Sequence, residues 1–192
     1  CFSFHATKVF NTIEGGAVCF KDKELGRRLY NLKNFGIRDE ETVESVGANA
    51  KMNEFQAAMG LCNLRHVDEE IGKRRKVVER YRERLHDIKG IQLNAIQKDT
   101  DSNYAYFPII VDEKDYMTDR NGLLAVLKEH DIIARKYFYP VVPFFDCYKG
   151  RFRADDILVA QSIAERVMTL PLYADIPIKV VDEICDIIVT GV

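Results

Sequence analysis

Apolar positions spaced three and four residues apart dominate the first half of the chain. They first recur in residues 25–35, between Asp22, a residue type favoured at helix N-caps, and Gly36, typical of a helix end. A second series begins at Asn53 and keeps this spacing to Leu85, which predicts one helix of about thirty residues. Because such a helix is too long for one small domain, we expect it to bridge two.

Short apolar runs alternate with helical patterns in the second half. Three extended runs are predicted as strands: residues 91–96, 104–111 and 132–139. Three stretches carry helical spacing: residues 121–130, residues 157–168 and a last helix opened by residues 175–177. Pro108 indicates an edge position or a bulge in its strand. The alternation predicts an α/β sandwich of about a hundred residues.

Composition narrows the class of protein. The 192 residues are 47% hydrophobic and 30% charged, as in ordinary globular proteins, and the formal net charge is −2. A sequence-independent nucleic-acid binder is normally strongly basic, so we expect no nucleic-acid partner. No apolar run approaches the ~20 residues that cross a bilayer, and we expect no membrane association.

Cysteine and histidine positions give no sign of a metal site or a disulfide framework. The five cysteines are odd in number, no pair has the CxxC spacing, and the four histidines are scattered. We therefore predict no metal, and the free cysteines favour a reducing, cytoplasmic location.

A basic run at residues 73–84 offers two interpretations. It carries seven positive and two negative charges, which would suit a nucleic-acid or phosphate patch. Three acidic residues at 68–70 lie directly upstream, and apolar residues interrupt the run. We favour a solvated helix face over a DNA-binding surface.

Lys8 is the residue that most directly indicates chemistry. It stands between an apolar stretch and a turn at Gly15–Gly16, after which a short apolar run to Phe20 predicts a strand. A partly desolvated lysine is disfavoured as ammonium, which makes its amine available as a nucleophile. Ser3 offers a hydroxyl suited to a phosphate oxygen. On these grounds alone, a solvated surface lysine explains the position equally well.

Three blocks of residues resemble motifs of one known family. They are SFHATKVFNTIEGGAV at residues 3–18, GANAKMNEFQAA at residues 47–58, and ARKYFYP at residues 134–140 followed by LPL at residues 170–172. Together they resemble the DegT/DnrJ/EryC1/StrS family of pyridoxal-phosphate-dependent nucleotide-sugar aminotransferases. The chain departs from the family pattern at Ala50 and at residues 140–142, where substrate contacts are expected. These departures therefore concern which sugar is bound, and not the cofactor.

The resemblance implies roles for three residues near the cofactor, pyridoxal 5′-phosphate. Lys8 would bind its aldehyde covalently and later move a proton between the cofactor and the substrate carbon. Ser3 would hydrogen-bond its phosphate. Asn49 would reach that phosphate from the neighbouring subunit, which implies a homodimer with shared active sites.

The resemblance also implies a reaction and a weaker set of substrate residues. An amino-acid donor, glutamate in most relatives, would give its amino group to a keto group of a nucleotide-linked deoxy sugar, for cell-surface or secondary-metabolite glycans. Tyr137 and Tyr139 are candidates for lining the sugar site, with packing in the small domain as the alternative. Arg135 is a candidate for a donor carboxylate or a nucleotide phosphate, with a surface charge as the alternative.

The implied fold is the C-terminal half of a fold-type I transferase. We expect residues 1–72 to be the tail of the large cofactor-binding domain with the start of the bridging helix, and residues 73–192 to be the small α/β domain. The start at Cys1 and the lack of a candidate upstream Asp or phosphate loop suggest a piece of a longer enzyme, inactive alone. A dehydratase of the family, in which histidine replaces the lysine, and a non-catalytic member remain alternatives; Lys8 argues against the dehydratase.

Overall fold

The computed structural model describes residues 1–191. They form two compact units: residues 1–69 (unit 1) and residues 70–192 (unit 2, described to residue 191). Within unit 1, two antiparallel strand pairs accompany two helices. The elements in chain order are β1 (Phe2–Ser3), β2 (Gly16–Ala17), α1 (Lys23–Lys33), β3 (Ile37–Asp39), β4 (Thr42–Val43) and α2 (Glu54–Leu64).

Helix α1 confirms the prediction made from its caps. The carboxylate of Asp22 accepts a hydrogen bond from the Glu24 N–H and closes the first turn. After the helix, Phe35 and Gly36 take φ values of 59° and 75°, a left-handed ending that glycine adopts without strain. The predicted apolar face is largely exposed, since Leu32 keeps 48% of its surface accessible.

The single bridging helix predicted from Asn53 to Leu85 is wrong. Helix α2 ends at Leu64, residues 65–66 form a turn, and α3 (Val67–Leu85) follows. The apolar spacing of three from Leu64 to Val67 continues across this turn, so periodicity alone conceals it. The predicted start is confirmed, because Asn53 and Gln56 form a capping box.

Unit 2 is built on a three-stranded antiparallel sheet. Its strands are β5 (Ile91–Leu93), β6 (Phe107–Val111) and β7 (Val167–Leu170), in the order β5-β6-β7. Strand β7 is absent from the prediction, which placed residues 157–168 in one helix; α5 (Leu158–Arg166) ends before it. Val167 and Met168 therefore lie in strand β7 and not in the helix, and both are buried.

Pro108 lies on the central strand, so the predicted edge position is wrong. It faces Thr169, whose backbone bonds instead to Arg135 on the other side of β7. The nitrogen of Pro108 therefore points toward β5, whose pairing with β6 stops at Ile109. Because β5 ends before it would face Pro108, the sheet loses no hydrogen bond through the missing N–H of this proline.

Two helices of unit 2 match their predictions and one extended segment does not. Helix α4 (Arg120–Glu129) follows an Asp119 cap, and α6 (Ile178–Thr190) follows Pro177, which is the N-cap rather than a first-turn residue. Residues 132–139 do not form a strand: a single bridge joins Arg135 to Thr169. Three short 3₁₀ helices follow: Val142–Phe144, Asp146–Tyr148 and Ala154–Ile157.

The apolar core lies in unit 2, between one sheet face and the helices. Its fully buried members come from α3, the sheet, α4 and α6: Val77, Tyr81, Leu85, Phe107, Ile109, Val111, Leu123, Leu127, Met168, Val181, Ile184 and Ile188. Tyr81 stacks on Phe107 with ring centroids 4.9 Å apart and donates its hydroxyl to the Pro171 carbonyl. In the described part of the chain, no helix is long and apolar enough to span a membrane.

Candidate functional site

The loop that carries Lys8 is held closed at its base by backbone hydrogen bonds. The Phe4 N–H donates to the Gly15 carbonyl and the Thr12 N–H donates to the Phe4 carbonyl, both at 2.9 Å. Inside the loop, the Lys8 N–H donates to the His5 carbonyl at 2.9 Å. Lys8 therefore lies in a tight turn whose two ends are fixed next to the β1–β2 pair.

Side chains around this turn restrict it further. The imidazole of His5 lies 2.9 Å from the Thr7 hydroxyl and 3.4 Å from the Glu14 carboxylate. The Asn11 side chain donates to the Lys8 carbonyl at 3.3 Å. Lys8 itself is half-buried.

The glycine pair leads into a strand, as predicted, and that strand pairs with the one that carries Ser3. Gly16 faces Ser3 in the antiparallel β1–β2 pair, although the strand after the turn covers two residues and does not extend to Phe20. A Cβ at Gly16 would lie 2.7 Å from the Phe2 carbonyl oxygen, and one at Gly15 would lie 2.3 Å from the Thr12 hydroxyl. Glycine is therefore required where the chain passes this closely.

Ser3 lies on β1 with its side chain exposed to solvent. Among the hydrogen bonds of the described residues, none uses its hydroxyl, so this group is available to a ligand.

Asn49 is fixed by its backbone neighbours and presents its side chain to solvent. The Ala48 and Ala50 N–H groups donate to the carbonyls of Leu32 and Lys33 at 2.8 and 2.9 Å, at the end of α1. Asn49 itself bridges Asn34. The Asn49 amide is exposed and takes no part in the hydrogen bonds found within residues 1–191.

The three weaker candidates lie together in one segment of unit 2. Arg135 exchanges backbone hydrogen bonds with Thr169 and leaves its guanidinium exposed. Tyr137 is half-buried and stacks on Phe138 with ring centroids 3.9 Å apart. Tyr139 keeps 51% of its surface accessible. Tyr137 therefore packs within unit 2, while Tyr139 and Arg135 face solvent, and their roles toward a substrate stay predictions.

Arg120 was missed by the sequence reasoning. It is 4% exposed, and its guanidinium lies 5.1 Å from the ring of Tyr139. Desolvation lowers the pKa of Arg120 below its usual value. An arginine at the start of an amphipathic helix is typical of a solvated position, and no pattern in the sequence distinguishes this one.

The basic run of α3 combines ion pairs with exposed cations, as expected for a solvated helix face. Arg80 and Arg84 both donate to the carboxylate of Asp182, and Lys73 lies 3.2 Å from Asp175. Arg74 is half-buried and donates to the Leu172 carbonyl. Arg75 and Lys76 in the same run are exposed.

Neither a metal cluster nor a disulfide is found among the described residues. Within residues 1–191, no group of three or more His, Cys, Asp or Glu side chains is placed to hold a metal ion. All five cysteines are free, and Cys185 is the buried one, where desolvation raises the pKa of its thiol to about 12.

Unit 1 therefore presents an amine, a hydroxyl and a carboxamide as its candidate ligand-binding groups. An amine can form a covalent bond with an aldehyde, and the hydroxyl and carboxamide can donate hydrogen bonds to phosphate oxygens. This donor set fits pyridoxal 5′-phosphate, which carries both an aldehyde and a phosphate.

Comparison with known proteins identifies the family to which this chain belongs. A model of the DegT/DnrJ/EryC1/StrS aminotransferase family matches residues 1–189, so the chain belongs to this family. It is 41% identical over 182 residues to the dTDP-4-amino-4,6-dideoxy-D-glucose transaminase of Shigella dysenteriae. That match covers 95% of this chain and 49% of the relative, so the chain spans about half the length of the curated relatives it matches.

Solved structures show the same fold. The structure of DesI in the presence of its TDP-sugar product superposes with a TM-score of 0.87 at 34% identity, over 96% of this chain and 47% of DesI. The pyridoxal-phosphate form of a putative sugar aminotransferase from Streptococcus pneumoniae gives a TM-score of 0.82 at 25% identity, over 98% and 50% of the two chains. The predicted α/β fold class is confirmed, apart from the interrupted bridging helix.

Proposed function

We propose that this chain forms part of a pyridoxal-phosphate-dependent aminotransferase acting on a nucleotide-linked keto deoxy sugar. An amino acid, with glutamate the expected donor, gives its amino group to the keto carbon of the sugar and leaves as the 2-oxo acid. The observation that carries the proposal is Lys8, half-buried in a closed turn of a chain that matches the aminotransferase family over residues 1–189.

Three residues of unit 1 would hold the cofactor. The Lys8 amine would bind its aldehyde, and the Ser3 hydroxyl would donate to its phosphate. The Asn49 amide, exposed in this chain, would reach the phosphate bound by the other subunit of a homodimer. The bound cofactor supplies the electron sink that stabilises a carbanion.

Lys8 has a second task once the donor has entered the site. Its amine Nζ takes the proton from the donor carbon and later returns a proton to the sugar carbon that gains nitrogen. Proton transfer of this kind needs a base held within hydrogen-bond reach of the reacting carbon. The backbone bonds that close the loop at Phe4 and Thr12 restrict where that amine can lie.

We assign the substrate-facing role to the segment around Arg135. The exposed Arg135 guanidinium would bind a carboxylate of the donor or a phosphate of the nucleotide in a bidentate arrangement. Tyr139 would pack its accessible ring on the sugar, and half-buried Tyr137 would line the same site.

The same proposal covers the larger organisation of the enzyme. Residues 1–72 would belong to the cofactor-binding domain and residues 73–192 to the small domain. The accessible, unpaired thiols of residues 1, 19, 62 and 147 favour the reducing cytoplasm.

Borohydride trapping tests the assignment of Lys8. The protein is expressed from its complete reading frame, loaded with pyridoxal 5′-phosphate, reduced and digested. We expect the cofactor mass on the peptide that contains Lys8, and none on that peptide after Lys8→Arg. Lys23→Arg, an exposed lysine at the start of α1, is the matched control and should leave the labelling unchanged. An unlabelled Lys8 peptide in the wild type overturns the proposal.

Turnover tests the substrate. With glutamate and a dTDP-linked 4-keto-6-deoxy sugar, we expect formation of the 4-amino sugar and 2-oxoglutarate in equal amounts. Lys8→Arg should lower the rate about a thousandfold, because both the covalent link and the proton transfer are lost. If the loaded wild-type enzyme instead removes a hydroxyl group of the sugar as water and transfers no amine, it is a dehydratase.

A further inference from the structure

Arg120 is a buried cation that joins three elements of unit 2. It is the first residue of α4 and is 4% exposed. Its Nη1 donates to the Ala164 carbonyl at 3.0 Å and to the Val167 carbonyl at 2.9 Å, and its Nε donates to the Asn121 side chain at 3.1 Å. The guanidinium thus closes the end of α5 and the start of β7.

The hydrogen-bond partners described for this guanidinium are all neutral oxygens, while the carboxylates of Asp119 and Glu165 act on its charge through space without a hydrogen bond. The last carbonyls of a helix carry partial negative charge and need donors, so the two bonds to α5 and β7 are favourable. A neutral amide could supply a donor to the same carbonyls without the cost of burying a charge. The bonds alone therefore do not explain why a cation occupies this position.

The Tyr139 ring is the group that contacts the charge directly. The guanidinium carbon of Arg120 lies 5.1 Å from the ring centroid, within the range in which a cation is attracted to an aromatic face. The ring is half exposed, and the bridge between Arg135 and Thr169 ties its segment to β7. Arg120 holds the start of β7 through Val167 and so adds a second anchor between that strand and Tyr139.

We propose that Arg120 is a positioning residue that holds the Tyr139 ring in place and thereby sets the affinity for the sugar substrate. This inference rests on the proposed function, in which Tyr139 contacts the sugar. Arg120 acts through Tyr139 and does not touch the substrate. Its loss should weaken the use of the sugar while leaving the reaction with the amino donor intact.

The test separates the two halves of transamination in the full-length, cofactor-loaded enzyme. The donor half is followed by the change in cofactor absorbance on adding glutamate, and the sugar half by the KM for the dTDP-linked keto sugar. Arg120→Gln should raise that KM about fivefold to tenfold, the loss expected for one desolvated cation–ring contact, with the donor half unchanged. Arg120→Lys keeps the charge and should hold the rise to about twofold.

Arg166→Gln is the matched control. Arg166 is an arginine at the end of α5 that donates to the Ser162 carbonyl and hydroxyl, and it is more exposed than Arg120. Its loss removes arginine bonds to the same helix without touching Tyr139, so the KM for the sugar should stay within twofold of the wild type.

Substitutions of Tyr139 supply a second, independent measurement should Arg120→Gln fail to fold. Tyr139→Leu removes the ring that Arg120 holds and its contact with the sugar, so it should raise the KM for the sugar at least as much as Arg120→Gln. In the double variant, Arg120→Gln should add nothing to Tyr139→Leu, because Arg120 acts only through the ring.

The outcomes distinguish this inference from the proposed function. A wild type that does not react with glutamate overturns both. A normal wild type whose KM for the sugar is unmoved by Arg120→Gln overturns only the role of Arg120. A KM unmoved by Tyr139→Leu overturns that role and the assignment of Tyr139 to the sugar as well. Equal losses in the donor and sugar halves would assign Arg120 a purely structural role and would also overturn it.

Discussion

The two units of this chain bury different kinds of side chain. Unit 2 encloses an apolar core in which Leu127 is fully inaccessible. Unit 1 buries the polar Thr12 and Asn31, while Phe55 keeps 87% and Leu61 keeps 65% of their surface exposed. One unit is thus organised around apolar side chains, and the other around hydrogen bonds.

This difference shows that apolar burial and hydrogen bonds have separate tasks: the first stabilises a fold, and the second shapes a site. Each hydrogen bond contributes only about 1 kcal/mol net but fixes direction and distance. Burial of apolar surface supplies most of the folding free energy. In unit 1, polar bonds such as that from the Asn63 side chain to the Asn11 carbonyl (2.9 Å) shape the loop that carries Lys8. Unit 2 carries the apolar core that can stabilise a domain.

The largest expected effect comes from the same truncation made in both units. Leu127→Ala on α4 should lower the free energy of unfolding by about 3 kcal/mol, because it leaves a cavity in the unit 2 core. Leu61→Ala on α2 should change it by less than about 0.5 kcal/mol, because that side chain is exposed. Urea unfolding followed by circular dichroism measures both.

Equal costs for the two leucines would break the comparison. A large loss from Leu61→Ala would show that its side chain is covered in solution, so that unit 1 also depends on apolar burial. A small loss from Leu127→Ala would show that the unit 2 core closes around the gap.

Sequence periodicity predicted the helices of unit 2 well because this unit has its own core. The inward residues of α6, including Val181, Ile184 and Ile188, are those that the helical spacing selects. In unit 1 the same spacing placed Leu32 and Phe55 on apolar faces that are exposed in this chain. Periodicity identifies a face that can be buried, and it does not say what covers that face.

The boundaries that failed share a different cause. The turn at residues 65–66 and the helix-to-strand change at Val167 carry neither glycine nor proline, so no local signal marks them. At Val167 a tertiary contact decides the boundary, because this residue pairs with Ile110 of β6, 57 residues earlier in the chain. Such pairings between distant residues are invisible to a short sequence window.

The candidate site was predictable where one local motif carries it. Ser3, Lys8 and the glycine pair lie within fourteen consecutive residues, and their loop closes as expected. Their roles stay predictions. Arg120 could not be predicted, because its importance arises from the carbonyls of Ala164 and Val167, more than forty residues away.

A smaller effect sharpens the comparison inside unit 1. Asn53→Ala should cost about 1 kcal/mol, because it removes the side chain that accepts from the Gln56 N–H and caps α2. Asn53→Asp keeps the acceptor and should stay near the wild type. Unit 1 should therefore lose more from a polar truncation than from Leu61→Ala, the reverse of unit 2. An Asn53→Ala variant as stable as the wild type, measured by urea unfolding, would contradict this.

The smallest effect at neutral pH concerns an ion pair on the surface of unit 2. Asp182 on α6 accepts from Arg80 at 2.6 Å and from Arg84 at 2.9 Å. The hydrogen bond from Arg80 is the main cause that holds the pKa of Asp182 below its usual value, and Arg84 adds to it. Partly exposed pairs of this kind contribute little, so Asp182→Asn should lower stability only slightly at pH 7.

The pH dependence identifies that contribution. Because folding lowers the pKa of Asp182, its stabilisation is complete above the pKa of the unfolded chain and is lost as the pH falls through the folded value. The stability difference between the wild type and Asp182→Asn should therefore be constant from about pH 7 to pH 5 and shrink as the pH falls below the pKa of an unfolded aspartate, about 3.9. Asp175→Asn, at a carboxylate whose side chain is 80% exposed, is the control and should change stability little at any of these pH values. A difference for Asp182→Asn that persists at low pH would show that the side chain stabilises α6 through packing rather than through its charge.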